Sequence, residues 1–138
     1  MNLQDKPQCY SYHEHTADIL IKAYGDSFEK AVENALLGIS NTMHSKKDIP
    51  TQTHEFEIQA NRNDMLVYKV LSEAISYFDA HSCACIEANV TIQRDKVMVT
   101  LQTQQTTDGY NPIKSMTYHQ LEITHEQTNW TITFVVDI

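Results

Sequence analysis

The sequence predicts an α+β fold in which two helices pack on a mostly antiparallel mixed sheet, with the elements in the order β-α-β-α-β-β-β-β. Two segments place apolar residues at steps of three and four, which is the period of an amphipathic helix. Six other segments are predicted as strands, most of them alternating apolar and polar side chains. Helices and hairpins do not alternate as regular βαβ units, which argues against a parallel sheet with crossover helices.

The first strand and the first helix lie near the start of the chain. Residues 17–24 alternate apolar and polar side chains, and Gly25 ends this strand. Residues 27–43 have one apolar stripe and form the first helix. Asp26 is its expected N-cap, and Glu29, three residues later, completes a capping-box pattern. This helix is the most clearly patterned element of the sequence.

The middle of the chain predicts a strand, a helix and a hairpin. Residues 54–60 alternate again and form the second strand, while residues 64–80 carry the apolar stripe of the second helix. Residues 86–93 and 96–103 form the two arms of a hairpin, with Arg94-Asp95 as its turn.

The last third of the chain predicts a loop and two strands. Residues 104–112 are rich in turn formers. Residues 113–124 and 130–137 form the closing strands. In the final strand one set of alternate residues is apolar and the other set ends in Asp137, so the two sets are expected on opposite faces of the sheet.

Length and charge limit the class of protein. A chain of 138 residues with 41% hydrophobic residues suits a single domain, residues 1–138. The net charge is −8, and the densest basic cluster is only Lys46-Lys47. Nucleic-acid-binding proteins usually have a basic stripe, so we expect no direct nucleic-acid binding.

The cysteines and the absence of long apolar runs indicate the compartment. Cys9, Cys83 and Cys85 are an odd number, and their spacing is not that of a zinc or thioredoxin-like motif. We expect free thiols in a reducing environment. No segment is long and apolar enough to predict a membrane span or a signal peptide. The predicted location is therefore cytoplasmic.

Carboxylates at the two ends of the chain are the first candidate site. Asp18 begins an apolar strand, where aspartate is disfavoured, and Asp137 precedes the terminal carboxylate of Ile138. If the ends meet, three negative charges need relief from shifted pKa values, from Lys or Arg, or from a Ca²⁺- or Mg²⁺-like ion. Standing alone, Asp18 is better explained by hydrogen bonds to local N–H groups.

Histidines and one lysine are further candidates. His13 and His15 point the same way on an extended chain and would hold zinc if a third ligand joined them, although a surface pair is the simpler interpretation. His119 is more often structural than catalytic in such a segment. Lys114 is either an edge-strand charge or a counter-charge and phosphate contact beside the carboxylates.

Four short motifs occur in order from about residue 12 to the end. They are His15-Thr16-Ala17-Asp18 with Tyr24-Gly25-Asp26-Ser27-Phe28-Glu29-Lys30-Ala31, the segment from Asp64-Met65-Leu66 to Ser76-Tyr77-Phe78-Asp79, Ile113-Lys114-Ser115-Met116-Thr117-Tyr118-His119, and Val135-Val136-Asp137-Ile138. With these motifs at this spacing, the chain resembles the archease family. Residues 104–111 depart from the family pattern, because its acidic and basic residues are missing or displaced.

The resemblance implies a function and assigns residues to it. Archeases assist RtcB-type RNA ligases in tRNA splicing and RNA repair, promoting guanylylation of the ligase and repeated turnover. The resemblance implies a divalent cation, Ca²⁺ or Mg²⁺- or Mn²⁺-like, on Asp18, Asp137 and the carboxylate of Ile138. It implies a role in activation for Lys114, with His15 and His119 as further partner contacts.

Two other functions remain open at this point. A small metal-dependent hydrolase would use His13, His15 and Asp18, and it would hold zinc and turn over without a partner. An acidic protein-interaction domain would be stabilised by cations but would not affect ligation.

Overall fold

A computed structural model describes residues 9–15, 18–44, 49–106 and 111–138, with the side chains of Glu14 and His15 outside this description. The predicted α+β class and the predicted order of elements are confirmed, and one further strand, β1, precedes the first predicted one. In chain order the elements are β1 (Tyr10–His15), β2 (Asp18–Gly25), α1 (Phe28–Met43), β3 (Gln52–Gln59), α2 (Asn63–His81), β4 (Cys83–Gln93), β5 (Lys96–Gln105), β6 (Ser115–Glu126) and β7 (Asn129–Asp137).

The described strands form two sheets instead of one. The first has the order β1-β2-β7-β6 and the second the order β3-β5-β4. Every pair among these strands is antiparallel, so neither sheet is mixed. Two pairs, β4–β5 and β6–β7, are hairpins joined by short turns, and such turns allow only antiparallel pairing.

The two helices connect the sheets. Helix α1 packs on β2, β7 and β1 of the first sheet and on β4 of the second, and α2 packs on β6 and on the second sheet. Their apolar stripes therefore face one shared core. Its largest fully buried side chains are Phe78, Phe134, Ile21, Leu36, Ile39, Met43, Leu71, Leu101, Ile132, Val32, Val67 and Val70.

The start of α1 differs from the prediction by one residue. Ser27, not Asp26, is the N-cap, and its hydroxyl accepts a hydrogen bond from the Lys30 N–H at 3.1 Å. Serine is as good a cap as aspartate. The turn after β2 is tight, since a Cβ on Gly25 would overlap the Ala31 backbone nitrogen.

Strand β6 is interrupted in its middle. It pairs with β7 up to Thr117 and resumes pairing at Glu122. Residues 118–121 of β6 therefore lie opposite a single residue of β7, Phe134. We call residues 118–121 the β6 bulge. An interruption of this kind bends the strand and leaves its residues out of the ladder.

The predicted hairpin turn and the three cysteines lie within the described residues. Arg94 has a left-handed backbone conformation in the predicted hairpin turn. The three cysteines form no disulfide, and Cys83 and Cys85 are buried whereas Cys9 is exposed. Among the described residues, no helix combines the length and the apolar character that crossing a membrane requires.

Candidate functional site

Three strands of the first sheet bring polar side chains together at one end. Asp18 pairs with Asp137, and Asp137 pairs on its other side with Ser115. Directly opposed residues of antiparallel strands project from the same face of a sheet. The side chains of Asp18, Asp137 and Ser115 therefore form a row, which we call the carboxylate row. The backbone of His15 extends it, since His15 pairs with Asp18.

The carboxylate row lies on the face of the sheet that points away from the helices. In β7 the alternate residues Ile132, Phe134 and Val136 are fully buried in the core. Because side chains alternate along a strand, Asp137 projects from the opposite face. The alternation predicted for the last strand is confirmed, and it determines which face carries the carboxylates.

The carboxylate pair concentrates negative charge. Directly opposed Cβ atoms in antiparallel strands lie about 4.5–5.5 Å apart, and like charges at that distance destabilise the pair. Within the described part of the chain, the carboxylates of Asp18 and Asp137 have no hydrogen-bond or ion-pair partner. Ile138, which follows Asp137, is 45% exposed. Among the described side chains, none forms an ion pair with either carboxylate.

The donor atoms at this end suit one class of metal. Two aspartates and the carboxylate expected at Ile138 would supply only oxygen, which Ca²⁺ and Mg²⁺ prefer. No group of three His, Cys, Asp or Glu side chains among the described residues is arranged to hold a metal. The expected set is different, since its third member is the carboxylate of Ile138. The residues present therefore fit a cation that accepts carboxylate oxygens and leaves other positions open.

The histidines proposed for zinc have a different arrangement. Nε2 of His13 lies 3.0 Å from Oγ of Ser11, and that Oγ lies 2.9 Å from the hydroxyl of Tyr24. His13 is exposed on edge strand β1. The side chain of His15, the other predicted zinc ligand, lies outside the described residues.

Lys114 lies at the same end of the sheet as the carboxylates. Its backbone N–H donates a hydrogen bond to the carbonyl oxygen of Asp137 at 2.8 Å, just before the Ser115–Asp137 pair. Its side chain is exposed. The main-chain bond holds the start of β6 against the end of β7, so Lys114 enters the sheet beside the carboxylate row. Residues 107–110 of the divergent loop before Lys114 lie outside the described residues.

A second polar cluster, not anticipated from the sequence, anchors the β6 bulge. The Tyr118 hydroxyl donates to Oδ2 of Asp64 at 2.6 Å and accepts from Nη2 of Arg62 at 3.0 Å. Nε of Arg62 also donates to Oδ1 of Asp64 at 3.1 Å. The rings of Tyr118 and Tyr68 form a T-shaped pair, with centroids 5.2 Å apart. His119, the next residue, is exposed.

Hydrogen bonding shifts the ionisation of this cluster. The bond from Tyr118 lowers the pKa of Asp64, and the same bond raises the pKa of Tyr118. Both shifts favour a charged Asp64 and a neutral Tyr118 at neutral pH. The sequence signal for the cluster is weak, because 54 residues separate Tyr118 from Asp64.

Known proteins resemble this chain over nearly its whole length. Residues 10–138 match the model of the archease protein family. The chain is 31% identical over 144 residues to the protein archease of Pyrobaculum neutrophilum, covering 96% of this chain and 97% of that protein. It is 32% identical over 138 residues to the protein archease of Saccharolobus solfataricus, covering 94% and 98%.

Two solved structures share the fold at 20% identity. One is the solution structure of protein 1598 of Methanobacterium thermoautotrophicum, with a TM-score of 0.75 over 94% of this chain and 99% of that one. The other is the crystal structure of an archease of Thermotoga maritima, described as a possible chaperone, with a TM-score of 0.68 over 91% and 94%.

Proposed function

This chain belongs to the archease family, and on that premise we propose that it is a non-catalytic accessory protein that activates an RtcB-type RNA ligase. In this proposal a divalent cation bound by Asp18, Asp137 and the carboxylate of Ile138 takes part in ligase guanylylation and repeated turnover. The resemblance of the four motifs supports this activity, and family membership supports an accessory role.

The observation that carries the proposal is the pairing of Asp18 with Asp137. Folding brings these carboxylates onto one face, and no described side chain forms an ion pair with them. Opposed like charges cost stability, and a bound cation removes that cost. Ca²⁺ takes six to eight oxygen ligands, so three carboxylate groups leave room for oxygens from water or from a phosphate.

Lys114, His119 and His15 suit contact with a ligase centre that handles nucleotide phosphates. The exposed Lys114 supplies positive charge close to the row. His119 follows five residues later on the same strand, and His15 pairs with Asp18. We assign Lys114 to activation, and His15 and His119 to partner contact. The net charge of −8 disfavours RNA binding by this chain, so the ligase holds the RNA.

Ligase turnover is the direct test. The RNA ligase of the same organism is assayed under multiple-turnover conditions with wild-type protein, with Asp18→Ala and with Asp137→Ala. We expect both variants to lose the stimulation, because each removes one carboxylate of the opposed pair. Asp79→Ala, at an exposed position of α2, is the matched control and should stimulate like wild type.

The same assay separates this function from the alternatives. If both variants stimulate ligation normally, the proposed mechanism is wrong. A cation-stabilised protein with no effect on ligation would be an interaction domain. Stoichiometric zinc in the purified protein, with hydrolytic turnover in the absence of any ligase, would indicate the metal-dependent hydrolase.

A further inference from the structure

The β6 bulge combines exposure with a fixed conformation. Tyr118 is 38% exposed, and the side chains of Arg62 and Asp64 are 61% and 44% exposed. The Tyr118 hydroxyl nevertheless bonds to both of them, and its ring packs on Tyr68. Ordering exposed side chains costs conformational entropy that an isolated surface cluster seldom recovers. A surface ordered in advance binds a partner at a lower entropic cost.

We propose that the β6 bulge, together with Arg62 and Asp64, is the surface on which the RNA ligase docks while its guanylylation centre meets the carboxylate row. This inference rests on the proposed function and names the contact surface. Tyrosine and arginine are enriched at the centres of protein interfaces. The matching ligase surface would hold an apolar pocket for the Tyr118 ring and a hydrogen-bond acceptor for Arg62.

The position of the bulge supports this assignment. Tyr118 lies three residues after Ser115, which pairs with Asp137 in the carboxylate row. Only Ser115 of the carboxylate row lies on the same strand as the bulge, and that strand is one edge of the first sheet. The row faces away from the helices and Tyr118 contacts the start of α2, so a partner that meets both extends around the β6 edge of the sheet.

The interruption of β6 determines the kind of contact. An uninterrupted edge strand offers a row of N–H and C=O groups to which another strand can add. Residues 118–121 have left the ladder, so strand addition is blocked there. The partner must therefore recognise side chains. Among the described contacts Nη1 of Arg62 has no partner, which leaves the guanidinium with donors for a docking protein.

Electrostatics favours a protein over RNA as the occupant. The guanidinium of Arg62 is already bonded to Asp64, and the carboxylates of Asp18 and Asp137 lie along the same sheet. The carboxylates repel phosphates, and the positive charge of Arg62 is already offset by Asp64. Nucleic-acid binding depends on basic residues whose charge is not offset in this way. The whole chain adds to this effect with a net charge of −8.

Binding measurements on matched tyrosine variants test the inference. Purified RNA ligase of the same organism is titrated against wild type, Tyr118→Ala, Tyr118→Phe and Tyr12→Ala, and Ca²⁺ affinity is measured on each protein by calorimetry. Tyr12 is the control because it is 41% exposed, its hydroxyl bonds to the Gly38 carbonyl, and it lies on β1 at the opposite edge of the same sheet.

We expect Tyr118→Ala to raise the Kd for the ligase about tenfold or more, as at interface hot spots. Tyr118→Phe, which keeps the ring and loses both hydroxyl contacts, should raise it by a smaller factor and provides the test if the alanine variant does not fold. Tyr12→Ala should bind like wild type. Ca²⁺ affinity should stay the same in all folded variants, since none of these tyrosines belongs to the carboxylate row.

Three results would overturn the inference. The first is an unchanged Kd in both Tyr118 variants, and the second is an equal loss in Tyr12→Ala. The third is RNA binding by the protein alone that Arg62→Ala abolishes, because it would assign the surface to nucleic acid. If wild type neither binds nor stimulates the ligase, the proposed function itself fails, so the two failures are distinguishable.

Discussion

Asp18 stands directly opposite Asp137, so the first residue of β2 and the last residue of β7 share the terminal rung of an antiparallel pair. Carboxylates at such positions repel one another. The pair therefore costs stability in the protein alone, and in the proposed function a bound cation recovers that stability. Functional sites commonly contain such locally unfavourable contacts, which are compensated elsewhere in the protein.

Replacing one carboxylate should stabilise the protein in the absence of cations and reduce its stabilisation by Ca²⁺. In EDTA, Asp18→Asn and Asp137→Asn should each be more stable than wild type by about 0.5 kcal/mol, because the like-charge contact is gone. Free Ca²⁺ at a hundredfold excess over Kd should stabilise wild type by about 2.7 kcal/mol. The Asn variants should lose most of that gain. Urea unfolding with EDTA or CaCl₂ measures both effects.

Asp79→Asn is the control for this experiment, since Asp79 is exposed on α2. It should respond to Ca²⁺ like wild type. Equal stabilisation of wild type and of both carboxylate variants by Ca²⁺ would place the ion elsewhere.

Extending the chain beyond Ile138 should weaken cation binding. Three added glycines turn the α-carboxylate into an amide, which removes one negative charge from the site and displaces the new terminus. We expect Ca²⁺ affinity to fall about tenfold, since affinity follows the number of charged ligands. The same three residues added before Met1 are the control. Unchanged affinity after the C-terminal extension would remove the carboxylate of Ile138 from the ligand set.

Gly25→Ala should destabilise the protein by about 1–3 kcal/mol, as overpacking does. The added Cβ would lie 2.4 Å from the Ala31 nitrogen and 2.8 Å from the Lys30 carbonyl carbon, both backbone atoms that cannot move alone. Gly38→Ala is the matched control, because its Cβ would approach the Tyr10 side chain at 3.2 Å inside a helix that favours alanine. Equal free energies of unfolding for the two variants would refute this account of the turn.

Stability should fall as the pH drops below about 6.5, the reference pKa of histidine. Burial lowers the pKa of His44, and the pKa of His54 is lowered chiefly by burial as well. Between the lowered folded pKa and the higher unfolded pKa, the unfolded chain binds more protons, so acid favours unfolding. Tm measured from pH 7.5 to 5.5 should decline, and His44→Gln should reduce the slope. His119→Gln, at an exposed site, should keep the wild-type slope.

Several predicted features were confirmed because their causes are local. Both helices follow from apolar residues at helical spacing, and the turn at Arg94-Asp95 follows from the alternating arms on either side. Strand β1 escaped prediction because Tyr10–His15 has no apolar alternation. It forms by pairing with the edge of β2. The N-cap at Ser27 was missed because Asp26 and Ser27 are adjacent residues that cap about equally well, and the pattern does not separate them.

The sequence by itself determined the fold class, the order of the elements and which face of the last strand carries Asp137, because periodicity and charge act between near neighbours. Only the tertiary structure decided the register that pairs Asp18 with Asp137 and the contact of Tyr118 with Asp64 and Arg62. Residues so distant in the chain meet only after the sheet and helices have packed. No local spacing encodes that meeting, since it depends on the summed burial of the whole core.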